Sequence, residues 1–205
     1  YVYFADNAHC PYGEKTQEYI QDRARKITGL LLSKGADAVV VACNTATGVA
    51  ITPLRERFRD LPIVGIEPAV KPAAERFPGG AIAVMATPVT LKQPKFKSLL
   101  EIYADKAHFS PLPCPGLAEA IEKGGEVLPL LRQTFSEAAV PTPDALVLGC
   151  THYPLTPAAI RTAARETWGR DPVVMDGGRG TALQTARLLT AAGRLAPESQ
   201  CGSVT

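Results

Sequence analysis

One apolar segment occurs twice in this 205-residue chain, and it constrains the fold more than anything else in the sequence. Asp37-Ala-Val-Val-Val-Ala-Cys-Asn-Thr45 and Asp144-Ala-Leu-Val-Leu-Gly-Cys-Thr-His152 match at Asp37/Asp144, Ala38/Ala145, Val40/Val147 and Cys43/Cys150. Their remaining strand positions differ only among small or aliphatic residues. A short apolar run closed by a polar exit predicts a strand buried on both faces, with a thiol at its carboxyl end. In open α/β sheets ligands gather outside the carboxyl ends of strands. Two matched thiols at two matched strand ends therefore predict a site with two similar arms.

Strands and helices alternate along the rest of the chain. Further strands are predicted at Tyr1–Ala5, Pro62–Ile66, Ala81–Ala86, Ala107–Leu112 and Pro172–Met175. Helical spacing or composition predicts helices from Thr16 to Lys34 (capped by Gly35), Thr47 to Arg59, Ala69 to Arg76, residues 91–103, Leu117 to Lys123, Glu126 to Ala138, residues 157–168 and Gly180 to Ala192. Pro94 is tolerable in the fourth of these only near a first turn. The tail, Pro197 to Thr205, has no pattern. This alternation is that of an α/β protein with mainly parallel sheets. Either two similar halves face each other, joined near the middle of the chain, or a single doubly wound sheet carries all the strands. The strand exits form a polar list: Asp6, Cys43-Asn44-Thr45, Glu67, Thr87, Cys114, Cys150-Thr151-His152 and Asp176.

Composition narrows the function classes. Net charge is +2, with 22 basic against 20 acidic residues, so the chain lacks an electrostatic footprint for nucleic acid. No run of 18 apolar residues predicts a membrane helix, and the first residues lack the basic-then-apolar pattern of a signal peptide; cytosol is the expected compartment. The five cysteines (Cys10, Cys43, Cys114, Cys150 and Cys201) are odd in number and widely spaced, which argues against a disulfide framework. No Cys-x-x-Cys occurs, so a structural metal is not expected. Cys114 and Cys201 read as inert core residues.

Paired thiols on opposite sides of a cleft fit one reaction well. One thiolate removes a proton from carbon and the other thiol returns a proton to the opposite face, inverting a stereocentre. Each thiol is acid in one direction and base in the other. Asn44, Thr45 and Thr151 can hold a small polar substrate, and His152 can orient or assist the Cys150 thiol or bind substrate. A redox dithiol would use close sequence spacing. A lone nucleophilic cysteine with a histidine would leave Cys43 unexplained.

These residues resemble the glutamate racemase family. Ala42-Cys-Asn-Thr-Ala46 and Leu148-Gly-Cys-Thr-His-Tyr-Pro154 are similar to its two signature motifs. Asp6 with Pro11-Tyr-Gly13, Gly65-Ile-Glu-Pro68, Ala86-Thr87 with Thr90, and Cys114-Pro115 with Glu122 extend the likeness over essentially the whole chain. The Thr-His-Tyr-Pro ending favours glutamate over the related aspartate racemases. The resemblance implies two similar α/β domains with mainly parallel sheets and the active site in the cleft between them. The first would span residues 1–76 and 177–205, the second 77–176. It implies interconversion of L- and D-glutamate without pyridoxal phosphate or another cofactor, supply of D-glutamate for peptidoglycan, and a homodimer. Cys43 and Cys150 would be the acid/base pair, with His152 beside them. Tyr12, Gly13, Asn44, Thr45, Thr87, Thr90, Glu122, Thr151 and His152 would hold substrate. Family members begin with a strand carrying an Asp-Ser-Gly motif that does not occur before Tyr1, and they continue past the point where this tail stops. Gln93 and Phe96 stand where many members carry Ser and Tyr. A related aspartate or hydantoin racemase, or a glutamate-binding homologue without turnover, is the alternative.

Overall fold

A computed structural model of the chain describes residues 1–196, apart from the side chain of Glu14. Cys201 and the unpatterned tail lie outside the described residues. Two separate parallel sheets form, so the reading of a single doubly wound sheet does not hold. The first sheet pairs β1 (Val39–Val41) with β2 (Ile63–Gly65). The second has the order β4-β3-β5-β6, with β3 Ala81–Ala86, β4 His108–Pro113, β5 Ala145–Leu148 and β6 Val173–Asp176. All four ladders are parallel.

Alternation along the central strands builds a core on each face of the larger sheet. Ala83 and Met85 of β3 and Leu146 and Leu148 of β5 face one side, against α6 (Leu117–Glu122), α7 (Leu128–Glu137) and α8 (Pro157–Trp168). Ile82 and Val84 with Ala145 and Val147 face the other, against α3 (Val70–Arg76) and α5 (Pro94–Ile102). A third cluster joins α1 (Gln17–Ser33) to α2 (Asn44–Arg57) through Ile20, Ala50, Leu54 and Ile63. The last helix, α9 (Gly178–Ala191), returns to β2 of the first sheet, and Arg194 Nη1 donates to Asp37 O at 3.0 Å. Pro111 and Pro113 fall on β4, an edge strand, where a missing N–H is tolerated.

Three local expectations change. Tyr1–Ala5 is irregular rather than a strand, with Tyr1, Val2, Tyr3 and Phe4 exposed, because its backbone has no ladder to join among the described residues. Residues 91–103 form two helices, α4 (Pro88–Lys92) and α5, not one. Pro94 supplies no N–H and forces the preceding Gln93 into an extended conformation (φ −68°, ψ 135°), so the helix breaks there and restarts with Pro94 in its first turn. Finally, α2 begins at Asn44, three residues before the predicted Thr47, and this brings Cys43 to the helix start. Gly35 closes α1 with φ +82°, as its position predicts.

Candidate active site

The two copies of the repeated segment end alike. Cys43 stands two residues past β1, and Cys150 two residues past β5. Cys43 is the N-cap of α2, with extended backbone (φ −142°, ψ 121°) and its carbonyl accepting from Thr47 N at 2.8 Å. Cys150 enters a turn whose carbonyl accepts from Tyr153 N at 3.2 Å, and a 3-10 turn, Tyr153–Leu155, follows. The strand must pass close to its neighbour to get there. A Cβ on Gly149 would lie 2.8 Å from Met85 O, which is why glycine precedes this thiol.

The electrostatics of the two thiols match as well. Burial pushes Cys43 up, while the N–H groups of Ala46 and Thr45 and the Thr45 side chain pull it back. Burial pushes Cys150 up to about 12; the N–H of His152 opposes this, the nearby Cys43 adds to it, and the N–H of Tyr153 also opposes it. In each case the restraining N–H groups belong to the residues two and three positions after the cysteine. Cys43 holds the N-cap position of α2 without a capping hydrogen bond from its side chain, and His152 holds that position before the 3-10 turn. Cys43 is near enough to Cys150 to raise its thiol, and Cys10 adds to the same effect.

Behind Cys150 lies a relay. Cys150 Sγ is 3.7 Å from His152 Nδ1, and His152 Nε2 donates to Glu122 Oε2 at 2.8 Å. In the tautomer that donates from Nε2 to this carboxylate, Nδ1 faces the thiol as an acceptor. Glu122 therefore reaches the cleft through His152. Thr151 is half-buried between the two.

On the opposite side, three buried hydroxyls meet. Thr45 Oγ1 is 3.3 Å from Thr87 Oγ1 and 3.1 Å from Thr90 Oγ1, and Thr87 and Thr90 are 3.0 Å apart. A Cβ on Gly13 would sit 3.2 Å from Thr87 Cγ2, so the Tyr12–Gly13 turn lies directly on this cluster. The Tyr12 hydroxyl is already engaged: it donates to Asp6, which Arg23 also holds. Burial works to raise Asp6, yet the bonds from Arg23 and Tyr12 leave its carboxyl below the usual range. Burial and the Asp6 carboxylate push the Tyr12 phenol up. Asn44 is 7% exposed, and its Oδ1 has no hydrogen-bond partner. Such an orphan costs about 1–3 kcal/mol, so it marks a place where a ligand donor would be welcome.

Two residues escaped sequence reasoning. Cys10 is a third, half-buried thiol, which burial and the neighbouring Cys43, Glu122 and Asp6 push up to about 11. Its only signal was its place before Pro11-Tyr12-Gly13. Gln93 is buried against Thr45. Cys114 is a core residue, 1% exposed, its Sγ donating to Leu112 O at 3.4 Å. Among the described residues no cluster of three His, Cys, Asp or Glu side chains could hold a metal ion, and no helix is long and apolar enough to cross a membrane.

Comparison with known proteins bears on the family and the fold. The family model for Asp/Glu/Hydantoin racemase matches residues 1–196. A glutamate racemase of Clostridium botulinum is 42% identical over 209 residues, covering 100% of this chain and 79% of its own length. One from Clostridium perfringens is 42% identical over 92% of this chain and 73% of its own. Among solved structures, Escherichia coli glutamate racemase, in complex with L-glutamate and the activator UDP-MurNAc-Ala, superposes with a TM-score of 0.75. It is 32% identical over 97% of this chain and 74% of that one. A glutamate racemase isoform from Bacillus anthracis gives a TM-score of 0.73 at 29% identity, over 93% and 72%. A duplicated thiol arm, a racemase model matched from residue 1 to 196, and racemase structures of the same fold point one way: the chain belongs to the Asp/Glu/hydantoin racemase family.

Proposed function

We propose that the chain is a glutamate racemase that interconverts L- and D-glutamate with Cys43 and Cys150 as its two acid/base groups and no cofactor. The observation that carries this reading is the matched pair of thiols, each two residues past a parallel strand of its own sheet and each lowered by the N–H groups two and three residues on. The relatives' names add the choice of glutamate. In this reading residues 1–76 with 177–205 form one half and 77–176 the other, so that Cys43 and Cys150 are arms of opposite halves; the contact of α9 with β2 supports that division.

One thiolate takes the Cα proton, leaving a planar carbanion conjugated with the α-carboxylate. The other thiol gives its proton to the far face. The reverse reaction exchanges the roles, and the protein ends with one thiol and one thiolate, as it began. A buried thiol raised well above neutrality must first lose a proton. The substrate's α-ammonium brings positive charge into the cleft and favours the thiolate. His152, held by Glu122, accepts the Cys150 proton at Nδ1 when that thiol must act as base. Asn44, Thr45, Thr87, Thr90, Thr151 and the Tyr12–Gly13 turn bind the carboxylates and ammonium by hydrogen bonds. The product, D-glutamate, would serve peptidoglycan synthesis in the cytoplasm, and the working enzyme would be a homodimer.

The test is incubation with L-glutamate in D₂O, following loss of the Cα proton and of optical rotation together. Exchange with racemisation is expected, and it should vanish in both Cys43→Ser and Cys150→Ser. A Cys43→Ser or Cys150→Ser variant that still racemises at the wild-type rate would rule out the two-thiol mechanism. Racemisation of aspartate or a hydantoin in preference to glutamate would move the substrate assignment to those relatives.

A further inference from the structure

Gln93 lies at the break between α4 and α5 and is 4% exposed, an unusual setting for an amide on a connecting segment. Its backbone belongs to the second half of the molecule: N–H donates to Thr90 O at 3.2 Å, and C=O accepts from Phe96 N at 3.1 Å. Its side chain belongs to the first half. Nε2 donates to Thr45 O at 3.2 Å, and Oε1 occupies the space over Gly48, where a Cβ would lie 1.4 Å from it. Thr45 is thus held twice by one short segment, at its hydroxyl by Thr87 and Thr90 and at its carbonyl by Gln93. Thr45 is two residues past Cys43, and its N–H and side chain are two of the three groups that restrain that thiol, the third being the Ala46 N–H.

We propose that Gln93 is a positioning residue: its amide ties the first turn of α2 to the α4–α5 link and so sets where Cys43 stands in the cleft. Gly48 is the counterpart that makes room for this side chain. The proposal rests on the two-thiol racemase reading for its effect on turnover, but its structural part can be read without turnover.

The experiment compares the wild type with Gln93→Ala, Gln93→Met, Gly48→Ala and the double variant Gln93→Ala/Gly48→Ala. Methionine fills the space but cannot donate, which separates packing from the hydrogen bond. A displaced first turn is expected to lower kcat about tenfold in Gln93→Ala and Gln93→Met, with KM changed by less than about twofold. Gly48→Ala evicts the amide and should reproduce that loss. In the double variant the space is already empty, so it should be no worse than Gln93→Ala, a non-additivity that two independent sites would not give. Mass-mapped alkylation with iodoacetamide supplies the second readout: the rate at Cys43 should change by roughly threefold or more in the three single variants, and that at Cys150 should not. Full kcat in Gln93→Met, or additive losses in the double variant, would overturn the proposal. A wild type silent in racemisation but showing the Cys43-specific alkylation change would remove the racemase reading and leave the role of Gln93 standing. Silence together with unchanged alkylation would remove both.

Discussion

Gly177→Ala is the sharpest perturbation of how the two halves meet. Gly177 precedes α9, at the point where the chain leaves the larger sheet and returns to the smaller one. A Cβ there would stand 2.0 Å from Glu67 O and 3.1 Å from Ile66 Cγ1, and Glu67 lies just past β2. The clash is with backbone, so no side chain can rotate away. Ordinary contact begins at 3.4 Å, so the exits of β2 and β6 must separate by about 1.4 Å or bend to the same effect. Overpacking of this kind costs about 1–3 kcal/mol. For a chain of this size that lowers Tm by roughly 3–10 °C. The same displacement, carried into the cleft, should lower kcat about tenfold to a hundredfold, the usual consequence of misplacing reacting groups by an ångström. Gly180→Ala is the control. It meets no atom within 4 Å, lies in the first turn of the same helix, and should hold or raise stability by about 0.5 kcal/mol. Thermal unfolding by circular dichroism and polarimetric racemisation measure both effects. A Gly177→Ala protein with the wild-type Tm and kcat would refute the claim that this approach sets the relation of the two halves.

Further outcomes follow from the same geometry. Glu122→Gln keeps the shape of the relay but removes the carboxylate from His152 Nε2, so kcat should fall about tenfold while the fold is unchanged by circular dichroism. Stability should decline on the alkaline side. The Cys114 thiol is raised by burial from an ordinary 9.0 to about 12, so the folded state holds that proton more tightly than the unfolded chain. Its contribution is complete below pH 9.0, erodes above it and is gone past about 12, about 4 kcal/mol in all. Cys150 acts in the same direction over the same range. Urea midpoints measured from pH 7 to 11 should therefore fall above about pH 9, and the fall should be shallower in Cys114→Ala.

The repeated segment made most of the fold legible. Strands buried on both faces need continuous apolar runs, and β3 and β5 are buried in that way; β1 carries the same kind of run but leaves Val40 exposed, so the first copy of the segment is covered on one face only. What stayed hidden depended on partners far away in the chain. The start of α2 at Asn44 could not be read from Cys43-Asn44-Thr45, because Asn44 and Thr45 are the residue types that usually cap a helix from outside it, whereas here the cap is Cys43 and both lie within the first turn. Tyr1–Ala5 has the composition of a strand, but composition cannot supply the neighbouring ladder a strand requires. Pro94 was recognised as a hazard inside a helix, yet that it breaks one helix into two depends on the extended Gln93, whose side chain reaches back across forty-eight residues to Thr45. Tyr12 was read as a ligand for substrate. Its hydroxyl donates to Asp6, which Arg23 also holds, an arrangement that only the folded loop reveals.

The matched N–H pairs behind Cys43 and Cys150 have a consequence for symmetry. A racemase handles mirror-image molecules, but a chain of L-residues cannot build a mirror plane. It can only approximate one by repeating a motif through a rotation. The likeness must fail somewhere, and here it fails just beyond the thiols: Cys43 caps a 14-residue helix, whereas Cys150 begins a turn and a three-residue 3-10 segment backed by His152 and Glu122. Enantiomers have equal free energies in water, so kcat/KM must be identical for L- and D-glutamate however unequal the arms are. The inequality is free to appear only in how kcat and KM are divided between them, and the chain's handedness would be written there.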